Sequence, residues 1–500
     1  MARNRGALLV LPAAFLAAVL VLRLHGLPYW LWFNLDPSYL YLIGGLNILQ
    51  HAPPAMFQHP GVPVQLLVAA AAWLAPGDRL AAAEAILTRA SDAMLALDAL
   101  ALWLLGWRVW RRTDALLPAL FAQLAPFITM LTLKHGIEVE PEPLLLFAVA
   151  LLAAAMVEEA VLPRRLSVLG MAFAVGFGAA CKITFAPLGL APLVLIPTWR
   201  RRSLYIVLTA IVFAVWMIPE IPNLGPMAAW FAALAKGSGA YGGGPQTVVA
   251  WANYPHQFAK LFFARPLFLI AFAAGVIALL IGRRGAVGQR LLLALLTAQL
   301  VQIALVAKHA SGHYILPALE LAGPVLGVAW FLVVESGHVS PRRIRRVGAL
   351  ALAAIVAAQG VAVWRQDAET RRRADGARAI DLARDLPRCA HVYDFMASAP
   401  SAAWFYNDSY SGQRYAARLK AQMPANDYFV EPWRQGIENW DGAVTPAALA
   451  ARYPCIALRS AEPNAVEGLA ARFGHVFDHA ARCRAGSEDI LVAGAACPTK

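Results

Sequence analysis

Charge is what this sequence has least of. Only 15% of its 500 residues are Asp, Glu, Lys or Arg, while 60% are hydrophobic, and the mean hydropathy is +0.56. A soluble chain of this length needs a far more charged surface, so the shortage excludes an ordinary globular protein and points to a polytopic membrane protein. Acid is scarcer than base, with 30 Asp and Glu against 43 Lys and Arg. That excess does not describe a nucleic-acid surface, because the arginines gather in short loops. The groups are Arg3 and Arg5; Arg108, Arg111 and Arg112; Arg164 and Arg165; Arg200 to Arg202; Arg283 and Arg284; and Arg342, Arg343, Arg345 and Arg346. Every second loop carries one, which is the positive-inside pattern of a chain with a cytoplasmic N-terminus. Cysteine is nearly missing too. Cys181 stands alone before Cys389, and the four in the tail form no CxxC pair, which leaves no cysteine-ligated metal motif.

What is present is a series of apolar runs. About eleven reach the length of a span: Ala7–Leu24, Ser91–Trp110, Ala115–Leu133, Pro143–Leu162, Leu166–Ala180, Thr184–Trp199, Leu204–Ile221, Pro266–Gly282, Leu291–Ala307, Tyr314–Val334 and Val347–Trp364. The first follows "MARNR" and has no clear small-residue cleavage site, so it reads as an uncleaved span. "GVPVQLLVAAAAWLAPG" is short for a span and reads as an interfacial or partly inserted helix. Residues 1–365 thus form a transmembrane unit. It has a long first external loop (25–90) and another at 223–265, whose centre "GSGAYGGG" tolerates unusual backbone angles.

After Trp364 the composition becomes that of a soluble domain, 366–500. "HVYDF", "DYFVEPW", "CIALRS", "HVFDHA" and "DILVAG" read as short strands, with a helix over "SAAWFYNDSYSGQRYAARLKAQ". Strands alternating with helices predict a small α/β domain outside the membrane. Its four cysteines suggest two disulfides; Cys389–Cys455 at neighbouring strand starts and Cys483–Cys497 across a hairpin is the favoured pairing, against free buried thiols. Cys181, at a span end, reads as a packed residue.

Ionisable groups at membrane depth are costly and are usually paired or functional. By the arginine topology they collect on the outer side: Asp36 and His59 in the first loop; Lys134, His135, Glu138, Glu140 and Glu142 before the fourth span; Lys182 between the fifth and sixth; His256, Lys260 and Arg265 before the eighth; Lys308, His309 and His313 between the ninth and tenth. Each also has a plain reading. Asp36 before Pro37 suits a helix N-cap, the glutamates suit a helix N-terminus, Lys182 and Arg265 suit snorkelling, and His313 suits an interfacial histidine. Three glutamates within five residues exceed what capping needs.

The order "NLDPSY", "QHPGVPVQLL", "VEPEPLLLF", "CKITFAPLGLAPLVLIP" and "HYILPALELAGP" resembles bacterial members of the glycosyltransferase-C (GT-C) superfamily, related to the protein O-mannosyltransferases and to the lipid A aminoarabinose and galacturonosyl transferases. The resemblance spans roughly residues 1 to 365. It implies a GT-C-like fold, a sugar donor carried on a polyprenyl phosphate, and transfer at the outer leaflet to a lipid, glycan or protein acceptor. It matches Asp36 to the first-loop acid, His59 and Pro60 to an "HP" step, and Glu142 to the second acid. Two positions depart from it: Pro37 stands where a glutamate often follows the first acid, and His313 stands where an arginine precedes Tyr314, turning a fixed charge into a titratable one.

Chemistry agrees with that analogy. Transfer to a hydroxyl needs a base, the role expected of Asp36, with Glu142 orienting acceptor or base. The leaving phosphate needs charge neutralisation, expected of Lys182 with Arg265 or Lys308. His59, Glu138, Glu140, His313 and Tyr314 would orient substrates. The sequence requires no cofactor; a divalent metal held by Asp36, His59 and Glu142 remains open, though no ligand spacing demands one. The rivals are a secondary transporter, for which no internal repeat is visible, and a scaffold of envelope glycan assembly. Alanine- and arginine-rich usage fits a bacterium with a G+C-rich genome, hence a multi-pass protein of the inner membrane with its C-terminal domain in the periplasm.

Overall fold

The computed structural model describes residues 6–31, 38–58, 60–239, 242–282, 287–337, 340–430, 436–462 and 464–498. Within them, six helices are long and apolar enough to cross a bilayer: Gly6–Gly26, Ala83–Thr113, Pro141–Val161, Val287–His309, His313–Ser336 and Arg345–Asp385. Two bent pairs raise the number to as many as eight: Trp199–Trp216 with Ile218–Lys236, bent by 78°, and Tyr254–Phe263 with Pro266–Ile281, bent by 91°.

This differs from about eleven spans, and proline explains most of the difference. The run Ala115–Leu133 breaks into Leu116–Ala122, a short turn at Ala125–Phe127 containing Pro126, and Met130–His135, capped by the Thr129 hydroxyl. The run Thr184–Trp199 holds Pro187 and Pro192 and becomes a 3-10 segment, Ile183–Gly189, followed by one short helix, Leu190–Leu195. The run Leu204–Ile221 belongs to a helix that ends at Trp216, and the chain turns at Pro219 and Pro222. The segment Val62–Trp73 is a helix of 12 residues, below spanning length.

Ion pairs fix which ends of the helices meet. Glu158 pairs with Arg108 and Arg112, and Glu159 with Arg201 at 2.6 Å. Arginines from two separate clusters therefore share one end of the bundle. Glu142 starts the helix that Glu158 and Glu159 finish, so it lies about 24 Å away at the opposite end, taking 1.5 Å per residue.

The final long helix, Pro341–Ala379, leads into a seven-stranded sheet. Its strands are β1 (Ala390–Tyr393), β2 (Asp427–Val430), β3 (Ile437–Asn439), β4 (Gly442–Val444), β5 (Ile456–Ser460), β6 (Ala481–Ala485) and β7 (Glu488–Ala493), in the order β4-β3-β2-β1-β5-β7-β6. β1 runs parallel to β2 and β5, and the outer pairings are antiparallel. Both expected disulfides form, Cys389–Cys455 beside the β1–β5 pairing and Cys483–Cys497 from β6. Cys181 is buried and free. "HVFDHA" is not a strand: it lies in and after the 3-10 segment Ala471–Phe477, and the edge strand starts only at Ala481. The helix expected over residues 401–422 is two, Pro400–Asp408 and Ala416–Gln422, with left-handed Gly412 and Gln413 between them.

Candidate functional site

The buried ion pair of Glu142 and Lys182 forms the centre of the site. Glu142 occupies the first turn of Pro141–Val161, where Pro141 suits the opening helical position and the helix dipole favours a carboxylate. Lys182 follows the last residue of Arg165–Cys181, and its extended backbone (φ −154°, ψ 125°) turns the chain back. Lys182 Nζ donates to Glu142 Oε1 at 2.5 Å, with both side chains only 1% exposed. The ammonium also lies 5.0 Å from the centre of the Tyr314 ring, whose face attracts a cation. Gln302 donates to the carbonyls of Thr184 (2.8 Å) and Tyr314 (3.3 Å), so one amide holds the segment after Lys182 against the one carrying the ring.

From Tyr314 the polar groups continue as a chain of contacts. The rings of Tyr314 and His313 are 4.2 Å apart, those of His313 and His135 6.2 Å, and His135 Nδ1 is hydrogen-bonded to Glu140 Oε1. Ser311 Oγ contacts His313 Nδ1 at 2.9 Å. His135, Glu138 and Glu140 bring one ligand atom each within 4.8 Å of one another, a spacing suited to a divalent cation. These are different residues from the metal set named from sequence, of which Asp36 and His59 lie outside the described residues. Among the described residues, Glu142 Oε2 is buried without a hydrogen-bond partner.

Arg265 precedes Pro266–Ile281, and its guanidinium lies against Gly312, next to His313. Lys308 is placed elsewhere. Its Nζ donates to the carbonyls of Leu234 (2.6 Å) and Ala235 (2.7 Å), capping the helix Leu224–Lys236 just before the glycine-rich segment.

The first loop reaches the ion pair through its backbone. Gly61 N–H donates to the Cys181 carbonyl at 3.1 Å, one residue before Lys182. Gly61 is left-handed (φ 63°), and a β-carbon there would come 2.8 Å from Tyr41 Cε1, so only glycine satisfies both demands. Gly61→Ala is expected to destabilise the protein by about 1–3 kcal/mol and to lower any activity of this site. A denaturation midpoint equal to wild type would show that the loop is not held there.

No protein-family model matches the chain, and no curated protein matches it in sequence. Solved structures do match in shape. ArnT from Cupriavidus metallidurans in the apo state aligns with a TM-score of 0.52 and 13% identity, covering 96% of this chain and 97% of its own. The chain has the ArnT fold. The same protein bound to undecaprenyl phosphate aligns with a TM-score of 0.49 and 12% identity over the same shares. The likeness to the apo ArnT structure extends over both the helical bundle and the C-terminal sheet.

Within this ArnT-like fold, Asp98, Glu320 and Glu220 are among the buried carboxylates that stand outside the residues named from sequence. Asp98, in the helix Ala83–Thr113, is 0% exposed. Glu320 accepts from Thr132 Oγ1 at 3.3 Å, and Glu220 accepts from Asn223 Nδ2 at 2.7 Å. An isolated acid inside an apolar run marks each of them.

Proposed function

We propose that this chain is a membrane glycosyltransferase. In this reading it moves a sugar from a polyprenyl-phosphate donor to an acceptor hydroxyl at the outer face of the bacterial cytoplasmic membrane. The observation that carries the reading is the buried Lys182–Glu142 pair, at the end of an ArnT-like bundle remote from the arginine clusters. The positive-inside rule makes the arginine end cytoplasmic, so the pair and its histidine and tyrosine neighbours face the opposite side.

In the reaction the acceptor oxygen forms a bond to the anomeric carbon, whose bond to the phosphate oxygen breaks. The polyprenyl phosphate departs with that electron pair, and the acceptor proton passes to Asp36. Lys182, held by Glu142 and Tyr314, meets the donor phosphate, with Arg265 as a second cation. Charge placed in advance where the leaving group gathers it needs no rearrangement during the reaction. Glu142 keeps one oxygen on Lys182 and offers Oε2 to the acceptor hydroxyl. Lys308 acts on the segment 237–244 through the helix it caps. His135, Glu138 and Glu140 are where a divalent cation would be held.

The test is mass-resolved transfer by purified protein in lipid discs, with polyprenyl-phosphate sugars as donors. The expected result is one free polyprenyl phosphate for each glycosylated acceptor. Solute movement in liposomes without covalent change would overturn the reading in favour of a transporter.

A further inference from the structure

Three side chains of the C-terminal domain belong to the core of the membrane bundle. Trp404, Tyr415 and Leu419 pack in the same hydrophobic cluster as the long helices, apart from the two clusters that flank the sheet. Their target is the first-loop helix Ser38–Leu49, gripped at both ends. Near its start, Tyr39 meets Trp404 edge to face at 5.0 Å. Near its finish, Tyr415 Oη donates to Asn47 Oδ1 at 3.0 Å, with both residues buried. Burial pushes the Tyr415 phenol up to about 12, so it remains a donor across the physiological range. Its backbone N–H is held by Asp408.

Asn47 controls how the chain leaves the helix. Its carbonyl accepts from Gln50 and Ala52, both at 2.9 Å, and its Nδ2 donates to the Pro53 carbonyl at 3.2 Å. Downstream, Asn223 donates to the Pro54 carbonyl, Gln65 to those of Met56 and Pro60, and Gly61 to that of Cys181. Hydrogen bonds thus hold the chain at successive points from Asn47, the partner of Tyr415, to Gly61, which bonds to the residue before Lys182. Asp36 stands two residues ahead of the same helix in sequence.

We propose that the C-terminal domain sets the register of the first loop over the site, with Tyr415 as a positioning residue that acts through Asn47. The exposed Arg418–Asp78 pair at the same interface contributes little, as surface pairs do. The catalytic side of this inference rests on the glycosyltransferase reading; the structural side does not.

Tyr415→Phe keeps the ring and removes only the hydroxyl. Its expected effect is a fall in kcat of about tenfold, since misplacement of about 1 Å costs up to 10²-fold, with KM for the polyprenyl donor unchanged. Amide exchange at Gln50 and Ala52 should quicken about fivefold. Asn47→Ala should cause a comparable loss of kcat, and the double variant should lose no more than the larger single effect. Arg418→Ala should match wild type in both readouts. Wild-type kcat in Tyr415→Phe, or a change confined to KM, overturns the proposal whatever exchange shows. Should wild-type protein transfer no sugar at all, the glycosyltransferase reading fails by itself, and exchange then decides: unchanged amides overturn the link, and quickened ones uphold it.

Discussion

Lys182→Met is expected to destabilise the folded protein by about 3–5 kcal/mol, because it strands the Glu142 carboxylate in a place water does not reach. The pair is only 1% exposed on either side, and the described hydrogen bonds give Glu142 no replacement partner. Glu142→Gln removes the opposite charge and is expected to show a similar loss. A double variant, Lys182→Met with Glu142→Leu, tests whether these losses come from charge. Replacing both members of a buried pair with apolar groups is often neutral, or stabilising by about 1–4 kcal/mol, so the double variant should recover most of the lost stability. On the proposed roles it should still transfer little sugar, since the donor phosphate has lost Lys182 and keeps only Arg265. Denaturant unfolding in detergent measures the first effect and transfer assays the second. A double variant as unstable as either single one would mean that helix packing around Tyr314 and Gln302, and not the ion pair, sets the stability here.

That separation of stability from chemistry also explains what the sequence makes legible. Lys182 and Glu142 are conspicuous because each interrupts or borders an apolar run. Their contact is not legible, since it depends on how two antiparallel helices align at their ends. Runs of apolar residues identify membrane segments well but do not weigh the prolines inside them, so Pro126 breaks one expected span and Pro187 and Pro192 another into shorter pieces. Apolar windows conceal acids by averaging. Asp98 sits within "LALDALAL" and Glu320 within "PALELAG", and both are completely buried. In the C-terminal domain, β1, β2, β5 and β7 carry the aliphatic and aromatic residues that favour strands. β6 reads "ARCRA" and owes its place to pairing with β7, to the turn at Gly486 and to the Cys483–Cys497 bridge. Lys308 shows the opposite limit: its charge is plain in the sequence, but its partners are two backbone carbonyls some seventy residues earlier, which no side-chain pattern announces.

Asp36→Asn is expected to lower kcat by about 10²–10⁴, the usual contribution of a positioned general base. Asp36 itself lies outside the described residues. The helix that follows, Ser38–Leu49, is buried along nearly its whole length and tied to Tyr415 at its far end, while the loop beyond it is bonded to Cys181. Asparagine keeps the capacity to cap a helix, so the substitution separates capping from catalysis: it should leave stability within about 0.5 kcal/mol and remove only proton acceptance. The donor phosphate remains with Lys182 and Arg265, so KM for the polyprenyl donor should change by less than about twofold. This pattern, a loss confined to kcat, is that of an interaction made only in the transition state. The wild-type rate should fall as pH drops through the carboxylate's range, because a protonated acid accepts no proton, and that limb should vanish in Asp36→Asn. A variant that retained both its rate and its acid limb would transfer the base role to the next carboxylate with an open oxygen, Glu142 through Oε2, and Glu142→Gln would then abolish the same limb.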